Sequence, residues 1–265
     1  MYTIIFSSSI TPIAFSLGSL DIRWYSLAYI IGSLLGLFYL KFLNSKFFMI
    51  SKDKEKNFFD DLFFYSLLGI LIGGRLGYVL FYGYEYYLHN IIKIFYLWEG
   101  GMSYHGGLLG VIFTSYLISK KYKKHLFAIT DILALAMPIG LFLGRIANFI
   151  NAELYGKITN VPWGVVFPNM IEARHPSQLY EAFFEGLVLF LILLILFLKG
   201  YYKKVGFISS LAMLCYGSFR FAIEFFRVGE IYFFNIISMG QILCFLMIVL
   251  GFIILHWSYK NQSIK

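Results

Sequence analysis

The residues most suited to chemistry are ionisable side chains inside strongly apolar stretches, led by Arg145 and Arg220. Placing a charge within a lipid bilayer is costly, so such residues usually mark a functional cavity or a buried ion pair. A guanidinium group binds phosphate oxygens bidentately and keeps its charge at any relevant pH. Together with a basic histidine, His105, the two arginines predict a site for a phosphate-bearing lipid.

The segment YGSFRFAIEFFR, at 216–227, repeats polar residues at helical spacing. Tyr216, Arg220 and Glu224 follow one another at steps of four, and residues three or four apart share a helix face. One interpretation is a catalytic stripe. The other is that Arg220 and Glu224 form a structural ion pair that locks helices together.

A second stripe occurs in GRIANFINAELYG, at 144–156. Arg145, Asn148 and Asn151 follow at steps of three, and Glu153 begins the loop beyond them. The spacing places the arginine and the two amides on one helix face. Here too a structural pair, between Arg145 and Glu153, is the alternative to a binding site.

The histidine stands beside a pair of glycines in HGGLLG, at 105–110. Glycines permit close approach of the backbone, and a helix N-terminus favours an anion. We therefore place Gly106 and Gly107 in the substrate-binding set, together with Tyr25, which lies at the same predicted depth. The alternative for His105 is a structural hydrogen bond to a neighbouring helix.

Seven apolar stretches must position these residues. A helix rises about 1.5 Å per residue, so roughly 20 apolar residues cross a hydrocarbon core of about 30 Å. We therefore predict an all-α, polytopic membrane protein. The predicted spans are Trp24–Leu43, Phe58–Tyr82, Met102–Ser119, Leu126–Ile150, Gln178–Leu198, Val205–Phe226 and Ile236–Trp257.

Connections with many cations alternate along the chain with connections that have few, so one side of the membrane receives most of them. Thirteen lysines follow the odd-numbered spans: Lys46, Lys52, Lys54, Lys56, Lys120, Lys121, Lys123, Lys124, Lys199, Lys203, Lys204, Lys260 and Lys265. The other side receives five cations: Arg23, Lys93, Lys157, Arg174 and Arg227. Because cytoplasmic loops are rich in lysine and arginine, the N-terminus is predicted outside and the C-terminus in the cytoplasm.

With this orientation, the polar residues of six spans converge on the outer half of the membrane. Spans two, four and six carry them late: Arg75, Arg145, Arg220 and Glu224. Spans one, three and five carry them early: Arg23, Tyr25, His105, Gln178, Tyr180, Glu181 and Glu185. Asp131, near the inner end of span four, stands apart. The pattern predicts one site that opens outward.

Composition limits the other possibilities. With 60% hydrophobic and 14% charged residues, the chain is neither an ordinary soluble domain nor a disordered one. The lysines behind the net charge of +8 are split among four short loops, which argues against nucleic-acid binding. Cys215 and Cys244 lie in apolar runs and predict neither a disulfide nor a metal site. We expect one domain over 1–265, with outer loops at about 83–101 and 151–177 and no removable signal peptide.

Four motifs in order resemble the bacterial prolipoprotein diacylglyceryl transferase family. They are GGMSYHGGLLG at 100–110, GRIANFINAELYG at 144–156, HPSQLYEAFFEG at 175–186 and YGSFRFAIEFFR at 216–227. The resemblance extends across nearly the whole chain. Ala147 and Ala152 stand where the family commonly has glycine, and Tyr155 where tryptophan is common.

The resemblance implies an enzyme of the bacterial cytoplasmic (inner) membrane with its active site on the outer, periplasmic side. It transfers the diacylglyceryl group of phosphatidylglycerol to the lipobox cysteine in the signal peptide of a prolipoprotein. The products are a thioether and glycerol 1-phosphate, and the step is the first of lipoprotein maturation. We expect no cofactor and no metal.

By the same resemblance, each candidate residue has an expected role. His105 activates the thiol, and Arg145 binds the lipid phosphate with hydrogen bonds from Asn148 and Asn151. Glu153 orients that arginine or binds the glycerol head. The remaining catalytic residues act around the departing phosphate: Arg220 neutralises its charge, Glu224 holds Arg220, and Tyr216 bonds to the headgroup or the nucleophile.

Four other classes of membrane protein remain as alternatives. A transporter or channel needs polar groups through its whole depth, whereas the predicted inner half is largely apolar. An intramembrane protease needs a Gly-x-Ser-x-type nucleophile with a histidine, or an aspartate pair, within the spans, and the sequence shows neither. A phosphatidyl-alcohol synthase needs a cytoplasmic aspartate cluster for metal, and Asp60 with Asp61 is too little. A purely structural scaffold is argued against by the four ordered motifs alone.

Overall fold

The predicted apolar stretches coincide with helices in the computed structural model, which describes residues 4–6, 11–18, 20–47, 49–50, 52–228, 232–233 and 237–261. Ile236, the predicted start of the last span, and Lys265 lie outside these residues. The α-helices are α1 (Trp24–Phe47), α2 (Lys52–Phe81), α3 (Tyr84–His89), α4 (Tyr104–Tyr122), α5 (Leu126–Ile150), α6 (Ser177–Glu181), α7 (Leu189–Leu198), α8 (Phe207–Ile223) and α9 (Met239–Lys260).

Short turns of other helix types join or extend these elements. A π-helix at Ala182–Val188 joins α6 to α7, so that Ser177–Leu198 is one continuous helical segment. The 3-10 turns are Ile91–Phe95, Leu97–Glu99, Tyr201–Lys203 and Glu224–Phe226.

Within the described residues, five helical segments are long and apolar enough to cross a membrane. They are Trp24–Phe47, Asn57–Phe81, Leu126–Ile150, Ser177–Leu198 and Met239–Lys260. Each has at least the length that a hydrocarbon core of about 30 Å requires. The chain is therefore a mostly helical, multi-pass membrane protein.

In the part of the chain that the structure describes, three pairs of short strands lie outside the helices, and the all-α prediction did not include them. β1 (Ile4–Ile5) pairs in parallel with β4 (Val165–Val166), with Ile4 opposite Val165. The antiparallel pairs are β2 (Ile13–Leu17) with β3 (Leu20–Arg23), and β5 (Tyr232–Phe233) with β6 (Ile237–Ser238). β-branched and aromatic residues favour such pairing, but two to five residues per strand are too few to stand out in a sequence pattern.

The chain divides into two compact units, residues 1–39 with 131–265 (unit 1) and residues 40–130 (unit 2). In unit 2, α2 and α4 meet along a seam of glycines. A Cβ atom on Gly106 would lie 2.2 Å from the carbonyl oxygen of Gly73, and one on Gly110 would lie 1.9 Å from that of Gly69. Backbone contact this close admits only glycine, as in other membrane helix pairs. The seam therefore fixes the start of α4, where His105 lies.

In unit 1, small residues likewise let helices approach closely. A Cβ atom on Gly32 of α1 would lie 3.3 Å from the Cα of Gly140 in α5. A Cβ atom on Gly217 of α8 would lie 2.9 Å from Ile248 of α9. These contacts pack α1 against α5 and α8 against α9, and α1, α5 and α8 carry most of the predicted site residues of unit 1.

Asp131, which stood apart in the sequence, binds the start of α8. Its Oδ2 accepts a hydrogen bond from the backbone N–H of Gly206 at 2.6 Å. Its Oδ1 accepts two from Ser209, one from the backbone N–H and one from the hydroxyl, both at 2.7 Å. The first N–H groups of a helix have no partner within the helix and favour a negative charge. Asp131 thus caps α8 from α5.

Replacing Asp131 by alanine is expected to lower the free energy of unfolding by about 2–3 kcal/mol, because buried N–H groups lose a charged acceptor. Asp131→Asn retains one acceptor, so its free energy of unfolding should lie between those of the unchanged protein and Asp131→Ala. Detergent-titrated unfolding measures both. The control is Asp21→Ala, which removes an exposed aspartate bonded to Ser16 and should change stability by less than about 0.5 kcal/mol. Equal losses from Asp131→Ala and Asp21→Ala would contradict the capping role.

Candidate active site

One buried carboxylate, that of Glu181, lies at the centre of three guanidinium groups in unit 1. Its Oε2 lies 2.7 Å from Nε of Arg145, and its Oε1 lies 2.6 Å from Nη1 of Arg220. Nη1 of Arg227 also donates a hydrogen bond to Oε1. The Glu181 side chain has no exposed surface, so all of its charge is balanced inside the chain. We call Glu181 and these three arginines the arginine cluster.

Two more carboxylates border the arginine cluster. Glu224 Oε2 lies 3.5 Å from Nη2 of Arg220 and 3.5 Å from Nε of Arg227. Glu185 is fully buried, and its oxygens lie 3.7 Å from Arg220 and 3.9 Å from Arg145 with no hydrogen-bond partner. The predicted pair of Arg220 with Glu224 is therefore confirmed, but it is one part of a larger network of charges.

A π-helix separates the two central glutamates. Glu181 ends α6, and Glu185 lies within the π-helix that follows. π-helical turns are rare in proteins, and those that occur are frequently found at functional sites. In the same turn, a Cβ atom on Gly186 would lie 2.7 Å from the Cβ of Phe142 in α5. This close contact brings α5, with Arg145 one turn later, against the glutamates.

The start of α9 supports Glu224 from its other side. Ser238 caps α9 and donates a hydrogen bond from its hydroxyl to Glu224 Oε1 at 3.1 Å. A Cβ atom on Gly240 would lie 2.7 Å from the same oxygen. Glu224 is thereby fixed between α8 and α9, which holds its charge beside Arg220.

The stripe of 144–156 forms a hydrogen-bonded chain that starts at Arg145. Its Nη1 donates to Oδ1 of Asn148 at 3.4 Å, and Nδ2 of Asn148 donates to Oε1 of Glu153 at 2.7 Å. Asn151 donates to the same oxygen at 3.4 Å. The alternative of a direct Arg145 to Glu153 ion pair is wrong, because Asn148 stands between them.

The turn after α5 needs an unusual backbone. Ala152 and Leu154 have φ of 54° and 58°, in the left-handed region that favours glycine. Two side chains of α6 hold the turn: Gln178 Nε2 donates to the carbonyl of Glu153 at 2.6 Å, and the Ser177 hydroxyl donates to that of Leu154 at 3.0 Å.

Two tyrosines of the predicted set also lie in unit 1. The Tyr25 hydroxyl is 2.9 Å from that of Tyr29, one turn later on α1, and Tyr29 is within electrostatic reach of Arg145 and Glu153. Tyr216 is buried on α8 and lies within electrostatic reach of Arg220. Sequence reasoning missed Tyr29, although its spacing of four from Tyr25 was visible.

The loop between α5 and α6 packs a histidine against aromatic rings. Nδ1 of His175 lies 3.1 Å from the hydroxyl of Tyr180, which also accepts a hydrogen bond from Nε1 of Trp163 at 2.7 Å. Burial lowers the pKa of His175, because desolvation disfavours the charged form of the ring. The backbone N–H of Gly156 donates to the His175 carbonyl at 2.8 Å. These contacts fold residues 156–180 onto the helical segment that carries Glu181.

The remaining predicted residues, His105, Gly106 and Gly107, belong to unit 2. They form the first turn of α4, where the Ser103 hydroxyl caps the helix by accepting from the N–H of Gly106 at 3.2 Å. The His105 side chain is exposed at the surface of the chain. Among the described residues, no three histidine, cysteine, aspartate or glutamate side chains are grouped so as to hold a metal ion.

Comparison with known proteins gives a consistent result. Residues 12–257 match the family described as "Prolipoprotein diacylglyceryl transferase". A Rickettsia felis protein named phosphatidylglycerol–prolipoprotein diacylglyceryl transferase is 50% identical over 248 residues, which cover 92% of this chain and 95% of that protein. A protein of the same name from Ehrlichia ruminantium is 46% identical over 264 residues, covering 97% and 100%.

Proposed function

This chain belongs to the prolipoprotein diacylglyceryl transferase family and is a membrane transferase of lipoprotein biosynthesis, and we propose how its residues carry out the reaction. The donor is phosphatidylglycerol, and the acceptor is the lipobox cysteine thiol in the signal peptide of a prolipoprotein. The bond between the lipid glycerol carbon and the phosphate oxygen breaks, and a carbon–sulfur bond forms. The thiol loses its proton, and glycerol 1-phosphate leaves with the bonding electron pair.

The observation that carries this proposal is the arginine cluster, and within it the loosely held end of Arg145. Its Nε is engaged by Glu181, but its terminal nitrogens lie 3.4 Å from Asn148 and 3.9 Å from Glu185. These are long contacts for a guanidinium, whose charged hydrogen bonds are typically 2.7–2.9 Å. The side chain is 19% exposed. Arg145 can therefore offer two N–H groups to a phosphate without giving up Glu181.

Arg220 supplies the second positive charge. As the carbon–oxygen bond breaks, negative charge grows on the departing phosphate, and a fixed guanidinium stabilises that charge without reorganising. Glu224 holds Arg220 in place, and we assign Tyr216 to the headgroup or the nucleophile. We assign the lipid headgroup to the hydrogen-bonding residues that continue the Arg145 chain and to the tyrosine of α1: Asn148, Asn151, Glu153 and Tyr25.

We assign the thiol proton to His105. A free thiol has a pKa near 8.5 and is only a few per cent thiolate at neutral pH, so a base is needed. A positioned base contributes about 10²–10⁴-fold to such a step. Gly106 and Gly107 are both buried, and Gly106 packs against the backbone of Gly73 in α2, so the two glycines support the start of α4 that carries His105.

For the setting of the reaction, we propose seven spans in one domain of the bacterial inner membrane. The lysine distribution supports an outer N-terminus and an active site that faces the periplasm. A membrane-impermeant maleimide tests this in intact cells. A cysteine introduced at Asn160 should react, and one at Lys123 should not; the reverse result would overturn the orientation.

The reaction itself is tested with purified protein, phosphatidylglycerol and a synthetic peptide bearing a Leu-Ala-Gly-Cys lipobox. We expect the peptide mass to increase by one diacylglyceryl group on the cysteine. A Cys→Ser peptide should gain nothing, because its hydroxyl is a far weaker nucleophile than a thiolate. Folded, lipid-replete protein that leaves the cysteine peptide unchanged would refute the proposed reaction.

A further inference from the structure

We infer that Arg75 is a positioning residue, which fixes the segment leading into His105 and does not bind the lipid itself. Its side chain is only 2% exposed, and its guanidinium donates to backbone carbonyls. Nε donates to Ile94 at 2.8 Å, and Nη2 donates to Lys93 at 2.5 Å and to Tyr96 at 3.1 Å. The sequence pattern grouped Arg75 with the outer polar residues, but its guanidinium is bound by backbone carbonyls of unit 2.

The second terminal nitrogen of Arg75 holds the turn just before α4. Nη1 donates to the carbonyl of Gly101 at 3.2 Å and to that of Gly100. Gly100 and Gly101 have positive φ, 83° and 81° respectively, and together they form the bend that turns both carbonyls toward the guanidinium. Without Arg75, the carbonyls of residues 93, 94, 96, 100 and 101 would lose this donor, and the partly buried guanidinium contacts that hold the segment together would be lost.

Hydrogen bonds and a packing contact connect this bend to the residues on both sides of His105. The N–H of Ser103 donates to the carbonyl of Gly74, the neighbour of Arg75, at 2.8 Å, and Ser103 caps α4. Gly106 packs against the backbone of Gly73. His105 therefore lies between two residues that are anchored on the Arg75 turn of α2. A shift of the bend moves the histidine.

Lysine cannot replace this arginine. A guanidinium presents five N–H donors in a planar fork, whereas an ammonium is a compact point charge with three. The guanidinium also lies over the ring of Tyr87, 5.1 Å from its centroid, a stacking geometry that suits a planar cation. Arg75→Lys therefore keeps the positive charge but loses the planar set of N–H donors that holds the backbone carbonyls in their arrangement.

The inference rests on the proposed role of His105. One experiment distinguishes a failure of the positioning role of Arg75 from a failure of the role of His105 as the base. Peptide lipidation is measured at pH 7 and at pH 9.5, where most of the thiol is already thiolate and a base is no longer needed. At pH 7 we expect His105→Gln to lose about 10²-fold in kcat and Arg75→Lys about tenfold, with KM for phosphatidylglycerol unchanged. At pH 9.5 both deficits should narrow together.

A second variant perturbs the same contact from the loop. Gly101→Ala strains a positive φ, and its new Cβ would lie 2.5 Å from the ring of Tyr78 and 3.0 Å from Nη1 of Arg75. It should reproduce the Arg75→Lys pattern and so substitutes for Arg75→Lys if that protein does not fold. The control is Tyr87→Phe, which keeps the ring beneath Arg75 and should keep normal kinetics.

The outcomes distinguish the two claims. An Arg75→Lys or Gly101→Ala deficit that is the same at both pH values overturns the positioning role, because a general structural defect does not depend on the thiol. The positioning role is also overturned if Arg75→Lys is fully active at pH 7 while His105→Gln has lost activity. A His105→Gln deficit that fails to narrow overturns the proposed role of His105 instead.

Discussion

Replacing Glu181 by glutamine is expected to lower the free energy of unfolding by about 3–5 kcal/mol, the cost of removing one partner from a buried ion pair. The amide has nearly the same shape, so the loss reports charge and not volume. Arg145, Arg220 and Arg227 would then face one another without the carboxylate that contacts all three. Unfolding in mixed detergent micelles measures the change.

The chain offers a matched control one turn away. Glu185 is equally buried, but its oxygens accept no hydrogen bond and lie 3.7 Å and 3.9 Å from the nearest guanidinium nitrogens. Glu185→Gln should therefore cost less than about 1 kcal/mol, because the desolvated charge that it removes is poorly compensated. If Glu185→Gln destabilises the chain as much as Glu181→Gln, Glu181 is not the centre of the cluster.

Replacing Arg145 by lysine is expected to lower kcat/KM for phosphatidylglycerol by about 10²–10³-fold while the protein stays folded. The ammonium can still pair with Glu181, so the loss of stability should be well below that of Glu181→Gln, which leaves three guanidinium groups without their carboxylate. What is lost is the pair of terminal N–H groups that we assign to the phosphate, which a point charge does not reproduce. Peptide lipidation at several lipid concentrations measures the effect.

The control for this variant is Arg174→Lys. Arg174 donates to the carbonyl of Gly156 at 3.3 Å and lies over the ring of Tyr155, and we assign it no contact with the lipid. The same chemical change there should leave the rate within about twofold, as expected for a residue outside the reaction. Near-normal rates for Arg145→Lys would remove Arg145 from the phosphate site.

The helices were predictable because apolar runs of about twenty residues have few other structures available in a membrane. Even so, α2 begins at Lys52, six residues before the predicted Phe58. Its first turns are charged, and a hydropathy pattern registers only the part of a helix that lies in lipid. The pair of Arg220 with Glu224 was predictable for a local reason, since a spacing of four places both on one helix face.

The centre of the site was not predictable in this way. Glu181 contacts Arg220 and Arg227, which are 39 and 46 residues away in the sequence, and spacing within one helix carries no information about such contacts. Arg227 was counted as an ordinary cation of an outer loop, yet it belongs to the arginine cluster. The available signal was two glutamates, Glu181 and Glu185, inside one strongly apolar stretch, where an unpaired charge is not tolerated.

Arg75 shows the converse limit. Its place in an apolar stretch suggested a ligand-binding charge, but the structure gives it to the carbonyls of residues 93–101. Backbone acceptors leave no trace in the residue types of a loop. A sequence therefore predicts that a buried arginine needs partners, and only coordinates decide between a carboxylate, a ligand and the main chain.

The central claim is that the arginine cluster binds the phosphate of phosphatidylglycerol. The most direct test is a phosphatidylglycerol analogue with a photoreactive group on its headgroup, followed by mass mapping of the labelled peptides. Our account predicts labels within 144–156, 177–188 or 216–227, which unlabelled phosphatidylglycerol prevents and Arg145→Lys reduces. Competable labels confined to α9, with the same yield in Arg145→Lys, would contradict it.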